Sequence, residues 1–235
     1  MLKVGALQFT NAYPIFYALR EKIIPNNFIF SGTAPSDVNS MLDRGVVDVA
    51  LISSVSFLAN RFSYILLSDL GIAGTEEIMS VRLFFKGNRP LLDNAPVYVP
   101  ETSFTSIHLF KKICSHFWHV SPQILTYSGP PEELFKQEIP FLLIGDMCLE
   151  YHDQKTHSSF DLGKVWHDAT KTSFIFAVVA TRNDAFARSP QEVMDFHRLL
   201  EDSFQWSLQN REVIVEAAAK KWAVPKSLCA ATTRP

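Results

Sequence analysis

The residues of this chain that could do chemistry are mostly neutral hydrogen-bonding side chains that follow predicted strands. Thr10 and Asn11 follow the first apolar stretch, "LKVGALQF", and Ser53 and Ser54 follow "VDVALI". In open α/β sheets, ligands bind beyond the carboxyl ends of the strands, where helices also begin. The other candidates at such corners, or on a strand that leads to one, are Ser80, Arg82, Ser103, Thr105, Ser106 and Asp146.

Hydroxyls, amides and helix N-termini in this arrangement favour a small anion, in particular a carboxylate, because they supply hydrogen-bond donors. The candidates are poor in Lys and His and include no paired carboxylates, and the seven His have no ligand spacing, so no metal site is predicted. The sequence has no HExxH, GxxxxGK(S/T), GxGxxG or GxSxG motif, and it therefore offers no support for zinc-protease, P-loop, dinucleotide or α/β-hydrolase sites.

Each candidate, taken alone, also has a simpler structural explanation. These explanations are helix capping for Ser53, Ser54, Ser103 and Thr105, a turn for Asn11, a turn or a cap for Asp146, and a solvated strand position for Arg82. The set as a whole favours a ligand site more strongly than any of its members does.

The elements that must position these residues alternate between strands and helices. Strands are predicted at 2–9, 27–32, 47–53, 64–70, 79–86, 96–100, 122–128, 140–147 and 172–182. The helix at 13–22 has Pro14 in its first turn, and the helix at 34–45 ends at Gly45. The stretch 47–53 is apolar on both faces, which is typical of a covered parallel strand. This alternation predicts an α/β fold with mostly parallel sheets.

Two long predicted strands, 79–86 and 172–182, bracket an inner α/β segment. We therefore expect two α/β lobes joined by two crossing strands, with a ligand cleft between the lobes. The first, discontinuous lobe is expected to comprise 1–82 plus 178–235, and the second, inserted lobe 83–177. The last stretch, "VPKSLCAATTRP", is expected to be a tail rather than a packed element.

Composition excludes several classes of protein. The 235 residues are 47% hydrophobic and 20% charged, which is typical of a globular protein. The net charge of −2 and the pI near 6.4 give no sign of the basic surface that binds nucleic acid. No stretch has the length of a membrane span or the pattern of a signal peptide, although a trimmed secreted form stays open. Three widely spaced Cys form no disulfide framework, so we expect reduced thiols and a cytoplasmic protein.

Six stretches occur in an order that resembles a known family: "VGALQFTNAYPIFYAL", "GVVDVALISSVSFLAN", "IMSVRLFF", "ETSFTSIHLF", "LLIGDMCL" and "DLGKVWHDATKTSFIFAVVATR". Together they resemble the chorismate dehydratases of menaquinone biosynthesis by the futalosine pathway, from residue 3 to about residue 182. The resemblance implies the periplasmic-binding-protein type II fold. It also implies dehydration of chorismate, a dicarboxylate, to 3-[(1-carboxyvinyl)oxy]benzoate without a cofactor.

The resemblance also implies roles for particular residues. Asn11 and Ser80 fall on the family's Asn and Ser and are predicted to lie nearest the chemistry. Ser53, Ser54, Thr105 and Ser106 are the expected carboxylate ligands. The chain departs from the family in "FTNAYP", where "YLNTYP" is commoner, in Arg82, where an apolar residue is expected, and in a short carboxyl end.

Three other functions stay open at this point. The first is a solute-binding protein of the same fold that captures a small anion without chemistry. The second is the sister enzyme 1,4-dihydroxy-6-naphthoate synthase, although its "SPCPNDTF" motif does not match "FTNAYPIF". The third is a non-catalytic metabolite sensor. Neither a nucleic acid nor a membrane is expected as a partner, and the oligomeric state is open.

Overall fold

The structure is a computed structural model that describes residues 1–74, 77–151, 153–222 and 225–232. The chain divides into two compact units. The first unit is made of Met1–Ile72 together with Ile175–Pro235, and the second is made of Ala73–Phe174. Within the described ranges, no helix combines the length and the apolar character needed to cross a membrane.

Strands and helices alternate along most of the chain, as predicted. The strands are β1 (Lys3–Gly5), β2 (Ile29–Ser31), β3 (Val49–Ser53), β4 (Tyr64–Gly74), β5 (Val81–Phe85), β6 (Pro96–Pro100), β7 (Gln123–Tyr127), β8 (Phe141–Ile144), β9 (Ser158–Asp161) and β10 (Phe174–Arg182). The helices are α1 (Tyr13–Arg20), α2 (Pro35–Asp43), α3 (Ser54–Ala59), α4 (Thr105–Ile113), α5 (Pro131–Leu134), α6 (Gly145–Glu150), α7 (Leu162–Thr170), α8 (Asn183–Arg188), α9 (Pro190–Gln209), α10 (Arg211–Trp222) and α11 (Lys226–Thr232). A 3₁₀ turn at Thr10–Ala12 precedes α1.

The first unit contains a five-stranded sheet in the order β2-β1-β3-β10-β4. β1 pairs in parallel with β2 and with β3, whereas β10 is antiparallel to β3. Every residue of β3 is buried, as its two apolar faces predicted. The predicted strand at 2–9 is shorter in the structure: β1 ends at Gly5, and beyond it the N–H groups of Ala6 and Gln8 still donate to the strand-side carbonyls of Ser31 and Thr33.

The second unit contains a second five-stranded sheet in the order β7-β6-β8-β5-β9. β6 pairs in parallel with β7 and β8, and β5 is antiparallel to both β8 and β9. Each sheet is therefore mixed, which corrects the expectation of mostly parallel sheets. β5 lies within the second sheet, and the chain changes unit at 72/73, near the end of β4, and at 174/175, at the start of β10.

Apolar side chains build a separate core in each unit. In the first, Phe16 of α1 and Phe196 of α9 lie with Leu51 of β3 in one buried cluster. The predicted proline at the start of α1 is confirmed, and its carbonyl oxygen accepts a hydrogen bond from Ser207 Oγ at 2.7 Å. Because a proline in the first helical turn has no N–H to leave unpaired, it starts the helix at no cost. In the second unit, the rings of Phe84 and Phe141 stack with centroids 5.5 Å apart.

The carboxyl-terminal stretch is packed where the structure describes it, and the expectation of a tail is wrong there. Residues 226–232 form α11, in which Cys229 is fully buried. α11 contacts both α10 and the 3₁₀ turn at Thr10–Ala12, and Arg211 Nη2 donates to the Ala230 carbonyl oxygen at 2.7 Å. Alanine favours helices strongly, and "SLCAAT" offers apolar side chains to bury, which explains the outcome.

Candidate functional site

The predicted residues of the first unit lie at one edge of its sheet. Thr10 and Asn11 form the 3₁₀ turn after β1, Ser53 ends β3, and Ser54 begins α3. Because β1 and β3 are parallel neighbours, their carboxyl ends meet at the same edge. The structure thus places these four residues on neighbouring elements.

Asn11 has a buried side-chain oxygen that is available for a further hydrogen bond. Its side chain is half-buried, and its Oδ1 atom is buried without a hydrogen-bond partner among the described residues. A buried carbonyl oxygen that has lost water without gaining a donor destabilises the protein by roughly 1–3 kcal/mol. Such an atom is available to accept a hydrogen bond from a ligand.

Ser53 is oriented by Asn39, a residue of α2 that the sequence did not single out. Asn39 Nδ2 donates to Ser53 Oγ at 3.0 Å, and the Ser53 N–H donates to Asn39 Oδ1 at 2.9 Å. Ser53 Oγ also accepts from the Ser56 N–H at 3.1 Å, which makes Ser53 the cap of α3. With two hydrogen bonds accepted, its hydroxyl hydrogen is left to donate, which suits an anion. An asparagine inside a helix was the available signal, because asparagine is a poor helix former.

Ser54 uses its hydroxyl differently. Its Oγ donates to the Ile175 carbonyl oxygen at 2.7 Å. The same hydroxyl must give up that bond before it can donate to a ligand.

The predicted residues of the second unit also share one edge. β6 and β8 are parallel, so the start of α4 after β6 lies at the same edge as α6 after β8. β5 runs antiparallel to β8 and pairs Val81 with Ile144, so Ser80 at its amino end meets this edge as well. The Gly145 N–H donates to the Ser80 carbonyl oxygen at 2.7 Å, directly before Asp146 in the first turn of α6.

The hydroxyl residues at the start of α4 do not cap the helix. Its cap position is Phe104, with no side-chain hydrogen bond, so the capping explanation for Ser103 and Thr105 is wrong. Ser103, Thr105 and Ser106 are all buried. Thr105 Oγ1 has no hydrogen-bond partner in the described ranges. A helix N-terminus also leaves backbone N–H groups without intrahelical partners, so this corner is rich in donors.

Arg82 is an interior residue of the second sheet rather than a solvated one. Its side chain is 13% exposed, and its Nη2 lies 3.3 Å from Glu77 Oε1. Its Nε atom is buried and has no hydrogen-bond partner in the part of the chain that is described. The solvated-strand explanation is therefore wrong, and a contact between Arg82 and substrate stays a prediction.

Burial shifts the pKa of ionisable groups beside both edges. Burial raises the pKa of Tyr13, the residue after the 3₁₀ turn, to about 12. Burial also raises the pKa of the Cys148 thiol, in α6. Within the described ranges, no three His, Cys, Asp or Glu side chains are grouped to hold a metal ion. The two edges can bind an anion through neutral donors.

Comparison with known proteins gives matches over most of the chain. A family model described as menaquinone biosynthesis matches residues 2–231. The chorismate dehydratase of Thermus thermophilus is 28% identical over 197 residues, which are 77% of this chain and 70% of that protein.

Solved structures with low sequence identity share the fold. A protein from Archaeoglobus fulgidus matches with a TM-score of 0.76 at 17% identity and covers 97% of this chain and 85% of its own. A Candida albicans protein with the generic periplasmic-binding-protein fold matches with 0.72 at 14% identity, covering 97% and 78%. The Xanthomonas axonopodis alkanesulfonate-binding protein SsuA, bound to MOPS, matches with 0.73 at 10% identity, covering 100% and 84%. The predicted periplasmic-binding-protein fold is confirmed.

Proposed function

We propose, since the chain belongs to the menaquinone biosynthesis family, that it is a lyase that dehydrates chorismate to 3-[(1-carboxyvinyl)oxy]benzoate. The observation that carries the reaction is the 28% identity to a chorismate dehydratase over 77% of the chain. The fold alone does not decide between enzyme and binding protein, because one fold hosts many functions.

The geometry of both sheet edges supports a dicarboxylate substrate. In the first unit, the Ser53 hydroxyl has accepted two hydrogen bonds and keeps its hydrogen for an acceptor. In the second unit, the buried Thr105 hydroxyl lacks a partner among the described residues. Chorismate brings two carboxylates, and Ser53, Ser54, Thr105 and Ser106 are proposed to bind them, with Thr10, Arg82, Ser103 and Asp146 lining the site.

The proposed reaction needs little chemistry from the protein. The C4–O bond of chorismate breaks, the C3 proton leaves, and the two fragments depart as one water while the ring becomes aromatic. The enolpyruvyl carboxylate of the substrate accepts the C3 proton and passes it to the departing C4 hydroxyl, which leaves as water, so no side chain has to act as a base. Asn11 orients the reacting groups through its amide, and the Ser80 hydroxyl donates to the departing oxygen. Positioning and preorganised donors supply the acceleration, without a cofactor.

The side-chain amide of Asn11 is neutral, which explains why an asparagine suits the 3₁₀ turn after β1. Asn11 can accept a hydrogen bond through Oδ1 and donate through Nδ2, whereas an Asp there would repel an anionic substrate. A cytoplasmic location stays a prediction, as does a ligand cleft formed by the lobes 1–82 plus 178–235 and 83–177.

The test is incubation of the purified protein with chorismate, followed by liquid chromatography and mass spectrometry. The expected result is loss of chorismate and gain of a product lighter by one water, at a rate proportional to protein concentration. A control without protein corrects for spontaneous decay of chorismate. If chorismate raises the melting temperature but is recovered intact, the chain is a carboxylate-binding protein and the proposal is wrong.

A further inference from the structure

Asp161 is a buried carboxylate that holds the turn before Ser80. It ends β9 and is 5% exposed. Its Oδ2 atom accepts hydrogen bonds from the N–H groups of Met79 at 2.7 Å and Ile78 at 3.2 Å. Its Oδ1 atom accepts from the Lys164 N–H at 3.0 Å and so caps α7. One side chain thus joins the start of a helix to the residues directly before Ser80.

The turn at Ile78–Ser80 depends on support from outside itself. Met79 has a φ of +60°, in the left-handed region that side chains other than glycine rarely adopt. A backbone in this conformation persists only when its surroundings over-determine it. Within the turn, the Ser80 N–H donates to the Ile78 carbonyl oxygen at 2.7 Å. The other two N–H groups point to Asp161.

The far side of Ser80 is also fixed by hydrogen bonds. Its carbonyl oxygen accepts from the Gly145 N–H at 2.7 Å. With Asp161 on the preceding residues and Gly145 on its own carbonyl, the backbone of Ser80 is held from two directions. The direction of the Cα–Cβ bond of Ser80 follows from that backbone.

Arg82 provides a second reason for a carboxylate at this position. β5 and β9 pair Arg82 directly with Asp161. Burial raises the pKa of Asp161, whereas its three N–H hydrogen bonds and the positive charge of Arg82 act in the opposite direction. Burial has the larger effect, so the pKa of Asp161 lies above its ordinary value, and the N–H groups and Arg82 offset part of that shift.

We propose that Asp161 is a positioning residue, whose carboxylate holds the turn at Ile78–Ser80 so that the Ser80 hydroxyl faces the reacting substrate. The proposal rests on the proposed dehydration, because it assigns Ser80 a place at the reaction centre. Its competitor is a purely local role, in which Asp161 only caps α7.

The substitution Asp161→Ser separates these two roles. Serine caps helices about as well as aspartate, so the hydrogen bond from the Lys164 N–H is kept. A single hydroxyl on a shorter side chain cannot also accept from Met79 and Ile78. A second variant, Asp161→Asn, keeps the shape of the side chain but turns an NH₂ group toward one set of N–H donors. The matched control is Asp168→Ser, on the same helix, where the carboxylate is exposed and bonds only Lys164 among the described residues.

Hydrogen exchange of the free protein measures whether Asp161 holds the turn at Ile78–Ser80, and it needs no substrate. We expect the amides of Ile78 and Met79 to exchange at least about tenfold faster in Asp161→Ser than in the native protein, because their acceptor is lost. In Asp161→Asn, the faster exchange is expected at the N–H groups that face the NH₂ group, either Ile78 and Met79 or Lys164. Asp168→Ser is expected to exchange like the native protein. Unchanged exchange at Ile78 and Met79 in Asp161→Ser shows that Asp161 does not hold the turn, whatever happens to activity.

Kinetics measure the consequence for Ser80. We expect kcat for chorismate dehydration to fall about 10- to 100-fold in Asp161→Ser, with KM changed less than about threefold. The melting temperature is expected to fall as well, because the N–H groups of Ile78 and Met79 lose their acceptor. A kcat within about twofold of native overturns the positioning role. If the native protein does not dehydrate chorismate, the proposed function is wrong, and so is the role of Asp161 in catalysis. Hydrogen exchange still decides separately whether Asp161 holds the turn at Ile78–Ser80. Should Asp161→Ser fail to fold, Asp161→Thr, which also offers a single hydroxyl to cap the helix, is measured in its place.

Discussion

At Thr105, the structure leaves a hydroxyl buried without a partner among the described residues. The sequence predicted that a hydroxyl would stand at this corner, because it follows a strand and begins a helix. It could not predict that the helix cap would be Phe104, which leaves the threonine without a capping role. Cap geometry depends on the backbone angles of one residue, and several residues at this corner are compatible with a cap.

The substitution Thr105→Val tests whether this hydroxyl is kept for a ligand. Valine has nearly the same shape and removes a buried group that lacks a hydrogen bond. We expect the free energy of unfolding to rise by about 1 kcal/mol, which is about 2–4 °C in melting temperature, while KM for chorismate rises about tenfold. Thermal melts and steady-state kinetics measure the two effects. A less stable variant with unchanged KM would show that the hydroxyl serves the fold.

The contact between Asn39 and Ser53 could not be predicted from the sequence. It is a half-buried helix residue, and only the packing of α2 beside β3 brings it to Ser53. Its Nδ2 donates to Ser53 Oγ, so the serine hydroxyl hydrogen has to point elsewhere, and its Oδ1 accepts from the Ser53 N–H. Contacts between residues distant in sequence depend on the tertiary structure, so no local pattern encodes them.

The substitution Asn39→Asp should redirect Ser53 without removing the side chain. An aspartate can still accept from the Ser53 N–H, but its second oxygen accepts the serine hydroxyl hydrogen instead of donating to Oγ. We expect KM for chorismate to rise at least about tenfold, with a smaller effect on kcat. Asn94→Asp, at an exposed loop residue, is the matched control. Equal KM values for the two variants would contradict the role given to the Ser53 hydroxyl.

Among the elements, the carboxyl-terminal helices differ most from their prediction. The sequence predicted a tail, because "VPKSLCAATTRP" has a weak apolar pattern and ends in polar residues. In the structure, α11 contacts the 3₁₀ turn that contains Asn11, and Trp222 at the end of α10 packs its ring edge-on against Tyr13, with centroids 4.8 Å apart. Short helices of this kind form because a neighbouring surface is there to bury them, which sequence periodicity does not show.

Removal of the Trp222 ring should weaken the packing around Tyr13, the residue that follows the 3₁₀ turn at Thr10–Ala12. Trp222→Ala removes the contact with Tyr13, and Lys221, whose Nζ lies 5.1 Å from the Tyr13 ring centroid, loses its second aromatic neighbour. We expect a loss of about 1–3 kcal/mol in the free energy of unfolding and a lower kcat. Urea unfolding measures the first. Lys220→Ala, on the exposed side of α10, is the control. A Trp222→Ala protein as stable as this control would contradict the packing role.

For the whole molecule, the order of strands and helices was largely predictable. A buried strand such as β3 and a proline-started helix such as α1 each have a strong local signal, and repeating them in alternation defines an α/β protein. The sheet order was not predictable in the same way. β10 runs antiparallel to β3, and β5 runs antiparallel to β8. These directions depend on where the chain returns to each sheet, and strand composition does not distinguish a parallel strand from an antiparallel one.

Alkaline pH should destabilise the molecule as a whole. Burial raises the pKa of Cys114, Tyr13 and Tyr64 to about 12 each, whereas these groups ionise near pH 9–10 when unfolded. The unfolded state therefore loses its protons first, and stability is complete below about pH 9 and declines as the pH rises toward 12.

Urea unfolding at pH 8 and pH 11 measures this decline. We expect a lower free energy of unfolding at pH 11, and a shallower decline in Tyr64→Phe, which removes one of the shifted groups. Equal declines in the native protein and in Tyr64→Phe would contradict the assignment to that tyrosine.

The part that Asn11 plays in the reaction is measured by the rate of chorismate dehydration in Asn11→Asp, beside the native protein and Asn94→Asp. If Asn11 lies at the reaction centre, a negative charge there repels the dicarboxylate, and kcat/KM falls at least about 100-fold. Asn94→Asp, which adds the same charge at an exposed loop, should keep the native rate. Near-native turnover in Asn11→Asp would show that Asn11 does not lie at the reaction centre.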